Sequence, residues 1–81
     1  MAENQRLIAE FDKNSVEKIK VHVQRWKNQD YVDIRVYFLD GEKAEQPTKK
    51  GLCVSAELLP ELRRAIEKAM LAVDEEGDSS D

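Results

Sequence analysis

The stretch 26–52 carries the side chains whose chemistry is easiest to interpret. Two runs rich in aromatic and β-branched residues are joined by short polar turns, and basic residues stand beside the aromatic ones. Aromatic rings can stack on nucleic-acid bases, and lysine and arginine can hold the phosphates. These residue types together predict a sheet surface that binds single-stranded nucleic acid.

No combination of residues in the sequence predicts catalysis. The chain contains one histidine, His22, and one cysteine, Cys53, and it has neither a glycine-rich phosphate loop nor a nucleophile elbow. One residue of each kind is too few for Cys–His hydrolysis or for a metal site. We therefore expect no enzyme activity, no cofactor and no metal ion, and we expect structural roles for His22 and Cys53.

Charge is unevenly distributed along the chain. The net charge is −4, yet the segment 13–50 has nine basic residues against six acidic ones. Residues 74–81 include five acids and no base. A local basic face is therefore compatible with an acidic protein. We predict one folded domain over residues 1–73, followed by a disordered acidic tail over 74–81.

Chain length limits the core. A single domain of 81 residues has a small core, which seldom contributes more than ~3–5 kcal/mol by itself. Because one cysteine cannot form an internal disulfide, self-association is the remaining source of stability, and we expect a homodimer. The N-terminus shows no signal-peptide pattern, and no apolar run is long enough for a bilayer. We expect a cytoplasmic protein, associated with the nucleoid if it is bacterial.

Alternating apolar and polar residues predict an antiparallel sheet. Ile19, Val21 and Val23 alternate with polar residues, as in a half-buried strand. The predicted strands are 7–11, 16–26, 31–39 and 48–54. The first of these also fits one helical turn. We expect a hairpin turn at 28–30 and, because of Gly51, a bulge or a close backbone approach in the last strand.

A helix is predicted after the last strand, because apolar residues between 58 and 73 recur at helical spacing. Ser55 is expected to cap the helix. Pro60 leaves two possible starts, near Ala56 with an irregular first turn or near Leu59. The helix is expected to end near Val73. Its apolar stripe is wide enough to cover the sheet and also to pack on a partner helix.

Two motifs are similar to those of a known family. They are Asp33-Ile34-Arg35 with the aromatic pair Tyr37-Phe38, and Pro47-x-Lys49-Lys50-Gly51 before the last strand and helix. With matching spacing over about residues 16–73, the chain resembles the single-stranded-DNA-binding domain of the transcriptional positive cofactor four (coactivator) family. It resembles a short bacterial-type member, since the long Ser- and Lys-rich N-terminal region of the animal members does not precede the domain.

The resemblance implies an α+β fold, a curved four-stranded antiparallel sheet followed by one C-terminal helix. It also implies that two protomers dimerise through their helices and that single strands lie in channels on the sheets. The implied nucleic-acid-binding residues are Trp26, Lys27, Arg35, Phe38, Lys49 and Lys50. Weaker candidates for phosphate contact are Lys18, Lys20 and Arg25. The residues expected at the dimer interface are Leu62, Ile66, Ala69 and Met70.

The implied site has departures from the family pattern. Gln29 and Gln46 stand where the family often has basic residues, so fewer phosphate contacts are expected. Phe38 shares the alternation of the apolar residues in its strand, which favours core packing unless a bulge reorients it. Asp33 is expected to order Arg35 or a turn rather than to touch DNA.

Two functions are compatible with this pattern. The first is a homodimer that binds single-stranded DNA independently of base sequence, in transcription regulation or DNA maintenance. RNA is also a candidate ligand, since no residue can be assigned to a 2′-hydroxyl. The alternative is a protein-interaction module of the transcription machinery, in which the sheet or the helix docks a partner and nucleic-acid binding is incidental.

Overall fold

The computed structural model describes residues 4–42 and 44–80. Four antiparallel strands form one sheet in chain order, and a single helix follows them. The elements are β1 (Asn4–Asp12), β2 (Glu17–Trp26), β3 (Gln29–Leu39), β4 (Glu45–Ser55) and α1 (Leu59–Ser80). This architecture confirms the predicted α+β fold. It also settles the first element as a strand rather than a helical turn.

The register of the strands divides the sheet into two faces. Residues that pair directly across antiparallel strands lie on the same face. The apolar face is built from the pairs Ile19–Val36, Val21–Ile34 and Val23–Val32. The polar face is built from the pairs Lys18–Tyr37, Lys20–Arg35, His22–Asp33, Gln24–Tyr31 and Trp26–Gln29. The alternation in the sequence therefore separates a core-forming surface from a surface rich in charged and aromatic side chains.

A two-residue turn, Lys27-Asn28, joins β2 to β3. Both residues have positive φ angles, 53° and 63°, as in the type I′ turns that suit the twist of a hairpin. The predicted turn at 28–30 is therefore wrong, because Gln29 already belongs to β3. The sequence gives a weak signal here, since the turn contains no glycine and only asparagine among its residues favours the left-handed region.

Gly51 allows β4 to approach β3 closely. It pairs with Arg35, next to a shift in the β3–β4 register, and its φ of 149° lies in a region that other residues avoid. A Cβ atom at this position would overlap the carbonyl oxygen of Ile34 and would lie 2.9 Å from Cα of Arg35. The predicted bulge or close approach is thus present, and both features occur together.

Replacing Gly51 with alanine is expected to lower the free energy of unfolding by about 2 kcal/mol or more, because the new methyl group meets backbone atoms that cannot move away freely. Thermal or urea unfolding measures the effect. Gly41→Ala is the matched control, since nothing lies within 4 Å of a Cβ there. An equal loss in the two variants would contradict the role assigned to the close approach.

The start of α1 combines both predicted possibilities. Residues Ala56–Leu58 form a 3-10 turn, and the α-helix begins at Leu59. Ser55 makes no side-chain capping hydrogen bond, so that prediction is wrong. Pro60 is tolerated because an N–H group in the first helical turn has no partner within the helix.

The end of α1 lies beyond its predicted position. The helix continues to Ser80 rather than ending near Val73, so the backbone of 74–80 is helical. Gly77, Asp78 and the two serines have low helix propensity, which is why the sequence predicts an earlier end. The last residue of the predicted tail, Asp81, lies outside the described residues.

The helix leaves the sheet instead of covering it. Its contact with β3 is made mainly by the 3-10 turn, and Ile66, Met70 and Val73 are exposed. The prediction that α1 packs on the sheet is therefore wrong for the single chain. An amphipathic pattern indicates that a stripe is buried without indicating which surface buries it. No helix in the described part of the chain has the length and apolarity to cross a membrane.

Burial in the single chain is slight. Among the described residues only Val32 and Asp33 are buried, each with 7% of its surface exposed. Phe11, Phe38 and Leu52 on the apolar face are all exposed. The small core expected from the chain length is thus confirmed, and the apolar face remains largely uncovered.

Candidate nucleic-acid interface

Trp26 is the most accessible aromatic side chain of the polar face. It ends β2 and is 44% exposed. The tight turn that follows places the ammonium group of Lys27 4.6 Å from the centre of the Trp26 ring, within the range of a cation–π contact. A base and a phosphate could be held here together, the base by the ring and the phosphate by Lys27.

Arg35 lies in the middle of the polar face and is fixed by two partners. Its Nε and Nη2 groups donate to the Asp33 carboxylate at 3.1 and 2.7 Å, and Nη1 donates to the Thr48 carbonyl oxygen at 3.0 Å. The hydrogen bond to Asp33 raises the pKa of Arg35 above its ordinary value. Asp33 therefore orders Arg35, as predicted, and neutralises much of its charge.

Lys49 and Lys50 belong to the irregular part of β4, an edge strand of the sheet. Both are exposed, and neither has an ion pair with another described residue. The backbone is held there by Thr48, whose hydroxyl donates to the Val36 carbonyl oxygen at 2.7 Å and accepts from the Lys50 N–H at 3.1 Å. These two lysines are available to phosphates.

The candidate basic residues lie at different distances from Trp26. Gln29 pairs with Trp26 at one end of β3, and Val36 lies opposite the irregular part of β4 that holds Lys49 and Lys50. The seven residue steps from 29 to 36 correspond to about 23 Å of extended strand. A nucleic acid that contacts both Trp26 and this lysine pair must therefore run along the sheet.

The three weaker candidates all have acidic partners. Lys18 lies 3.6 Å from Asp12, and Arg25 lies 2.9 Å from Asp30. Lys20 contacts both Glu10 and Glu45. These cations differ from Lys27, Lys49 and Lys50, which have no such pair among the described residues, so the structure separates the candidate cations into a free group and a paired group.

Phe38 does not lie beside Trp26. It pairs with Glu17 and Gln46, which places it on the apolar face, where its side chain is exposed. The structure thus follows the alternation rather than bringing the two aromatic residues together in the chain.

Two further aromatic side chains lie on the polar face and were not among the predicted site residues. Tyr31 and Tyr37 share the strand alternation of Arg35, and Tyr37 lies 6.1 Å from His22, centre to centre. That shared alternation was the signal that could have identified both tyrosines. His22 lies on the polar face, where it pairs with Asp33, and Cys53 is exposed.

The residues expected at the dimer interface share one side of α1. Shallow grooves on this side are lined by Leu62 and Ile66 near the helix start and by Ile66, Ala69 and Met70 further along. Leu62 is half-buried and the others are exposed. In the described part of the chain, no three His, Cys, Asp or Glu side chains are grouped as a metal ion would require.

An open antiparallel sheet with an aromatic and charged face, followed by a single helix, places the chain in the class of small α+β proteins. The particular family follows from its sequence: the family model for Transcriptional Coactivator p15 (PC4) matches residues 13–65. The chain belongs to this family, which confirms the resemblance seen in its motifs.

Solved structures of bacterial and phage proteins share this fold. A PC4 homologue from Burkholderia pseudomallei K96243, BPSL1147, superposes with a TM-score of 0.75 at 24% identity in its tetragonal crystal form, covering 83% of this chain and 98% of that one. The orthorhombic crystal form of the same protein superposes with a TM-score of 0.74 at 23% identity, covering 86% of this chain and 95% of that one.

A more distant likeness connects the chain to a phage protein. The bacteriophage T5 homologue of the eukaryotic transcription coactivator PC4, implicated in recombination-dependent DNA replication, gives a TM-score of 0.59 at 19% identity, covering 91% of this chain and 82% of that one. The curated proteins contain no match to this chain. At these identities the solved structures establish the fold.

Proposed function

We propose that this chain binds single-stranded DNA as a homodimer, without dependence on base sequence. The observation that carries the proposal is the exposed Trp26 ring on the polar face, with the Lys27 ammonium 4.6 Å from its centre. Lys49 and Lys50 add two cations free of ion pairs among the described residues, on the edge strand beyond Arg35. Stacking and phosphate contact are both insensitive to sequence, because all bases have a π face and all nucleotides have a phosphate.

The homodimer is supported by how little the single chain buries. Its radius of gyration is 15.3 Å, whereas a compact domain of this length has about 12 Å. The apolar face and the helix stripe are both exposed, and surfaces of this kind mark interaction sites in soluble proteins. A second copy offers two equivalent surfaces, so both can be covered in a closed two-fold arrangement.

The proposed role is binding alone, without a chemical step, in transcription regulation or DNA maintenance. It rests on membership of a transcriptional coactivator family and on the phage homologue implicated in recombination-dependent DNA replication. We place this role in the cytoplasm, on the nucleoid if the source is bacterial. The same contacts suit single-stranded RNA, because none of them involves a sugar hydroxyl.

A second candidate function is favoured by the exposed apolar stripe of α1. In that case the stripe docks a component of the transcription machinery, and the polar face has no function of its own. The two candidates differ in their dependence on Trp26, because a protein contact made by the apolar stripe of α1 does not require this ring to stack on a base.

The test is a fluorescence-anisotropy titration of a labelled strand of about 20 nucleotides and of the matching duplex, at low and moderate salt. We expect tight, salt-sensitive binding of the single strand with quenching of Trp26 emission, and much weaker binding of the duplex. Strands of unrelated sequence should bind alike. Absence of binding to either form at low salt would overturn the proposal and favour the protein-interaction function.

A further inference from the structure

One ion-pair network spans the width of the polar face. Lys20 of β2 lies 3.5 Å from the carboxylate of Glu10 in β1 and donates a hydrogen bond to the carboxylate of Glu45 in β4. Between these acids its ammonium group lies 5.0 Å from the centre of the Tyr37 ring in β3. The network therefore includes a side chain from each of the four strands.

This contact holds Lys20 more firmly than an ordinary surface ion pair. Only 14% of the lysine side chain is exposed, and two carboxylates share its single positive charge. The hydrogen bond from Lys20 to Glu45 raises the pKa of Lys20 and lowers the pKa of Glu45 relative to their ordinary values. Lys20 thus stays charged, and the group formed by Lys20, Glu10 and Glu45 has a net charge of −1.

A phosphate competes with these carboxylates for the same ammonium group. Both are anionic oxygen acceptors, so a strand can engage Lys20 only by displacing Glu45, Glu10 or both. The two acids are themselves partly exposed, with 38% and 35% of their side-chain surfaces accessible, so water can solvate a displaced carboxylate without unfolding of the sheet. Lys49 and Lys50 require no comparable exchange.

We propose that Glu45, assisted by Glu10, restrains Lys20 over Tyr37 and thereby withholds one phosphate-binding position from the polar face. The inference rests on the proposed single-strand binding. It makes Glu45 a residue that sets affinity, because it determines how many cations of the sheet the nucleic acid can use. The restraint is intramolecular and reversible, and it acts in each protomer.

The test is the neutral, nearly isosteric substitution Glu45→Gln, measured by single-strand titration over a range of salt concentrations. Release of Lys20 should tighten binding about fivefold at ~0.1 M salt and should steepen the slope of log K against log salt by about 0.7 for each added phosphate contact. Glu10→Gln should act in the same direction with a smaller effect, since its carboxylate is the more distant one.

Glu61→Gln is the matched control, because it makes the same change in net charge and frees a cation, Arg64, on the helix rather than on the sheet. It should leave affinity and salt slope nearly unchanged. An equal gain from this control would overturn the proposal in favour of a net-charge effect. Unchanged binding in Glu45→Gln and Glu10→Gln, with normal binding by the original chain, would also overturn it while leaving the proposed function intact. If the original chain fails to bind single strands, both this proposal and the proposed function are contradicted.

Discussion

Replacement of Trp26 by alanine should weaken single-strand binding by about 5- to 150-fold, since a base on an aromatic ring contributes ~1–3 kcal/mol. The ring is 44% exposed at the end of β2, so the sheet should tolerate its loss. The lysines remain, and the salt dependence should therefore change little while affinity falls. A loss of affinity without a change in salt dependence identifies base stacking as the interaction that was lost.

Two measurements make this result specific. Anisotropy of a labelled strand reports affinity without relying on the tryptophan that has been removed, and sedimentation reports whether the proposed dimer is intact. Trp26→Phe is the matched variant: it preserves an aromatic face and should recover most of the affinity. If alanine and phenylalanine behave alike, or if alanine leaves affinity unchanged, Trp26 does not stack on bases and the protein-interaction function gains support.

The strands could be predicted because their information is local. Alternation in 16–26 and 31–39 identified β2 and β3 nearly to their ends, and it placed Phe38 on the apolar face against the position implied by resemblance. The Lys27-Asn28 turn could not be recognised in the same way. Its positive φ angles follow from closing the hairpin, whereas the residues themselves give little indication of them.

The ion-pair partners of the lysines in the site could not be predicted from the sequence. Lys20 and Lys49 are equally basic in the sequence, yet one is held by two acids and the other is free of ion pairs among the described residues. The difference arises from Glu45, which is 25 positions away in the chain and comes close only through the packing of the strands. An ion pair between residues of different strands cannot be predicted until the register of those strands is known.

The helix raises a related difficulty, because the apolar stripe of α1 does not indicate which surface packs against it. The stripe from Leu62 through Ile66 to Met70 was recognised, but the single chain leaves Ile66 and Met70 exposed and Leu62 half-buried. If a second copy covers it, a charge placed there should prevent association, since an unpaired charge cannot be buried without a large cost. Met70→Glu should therefore weaken dimerisation by about 100-fold or more, which is ~3 kcal/mol.

The neighbouring residue provides a matched control for this change. Leu71 is 64% exposed and Met70 is 63% exposed, so the single chain does not distinguish them. Leu71 follows Leu62 by nine residues, which is about two and a half helical turns, and it therefore lies on the opposite side of α1. Leu71→Glu should leave a dimer in sedimentation equilibrium, whereas Met70→Glu should give a monomer that unfolds at lower temperature, because so little of the single chain is buried. Similar behaviour of the two variants would mean that this stripe is not where the copies meet.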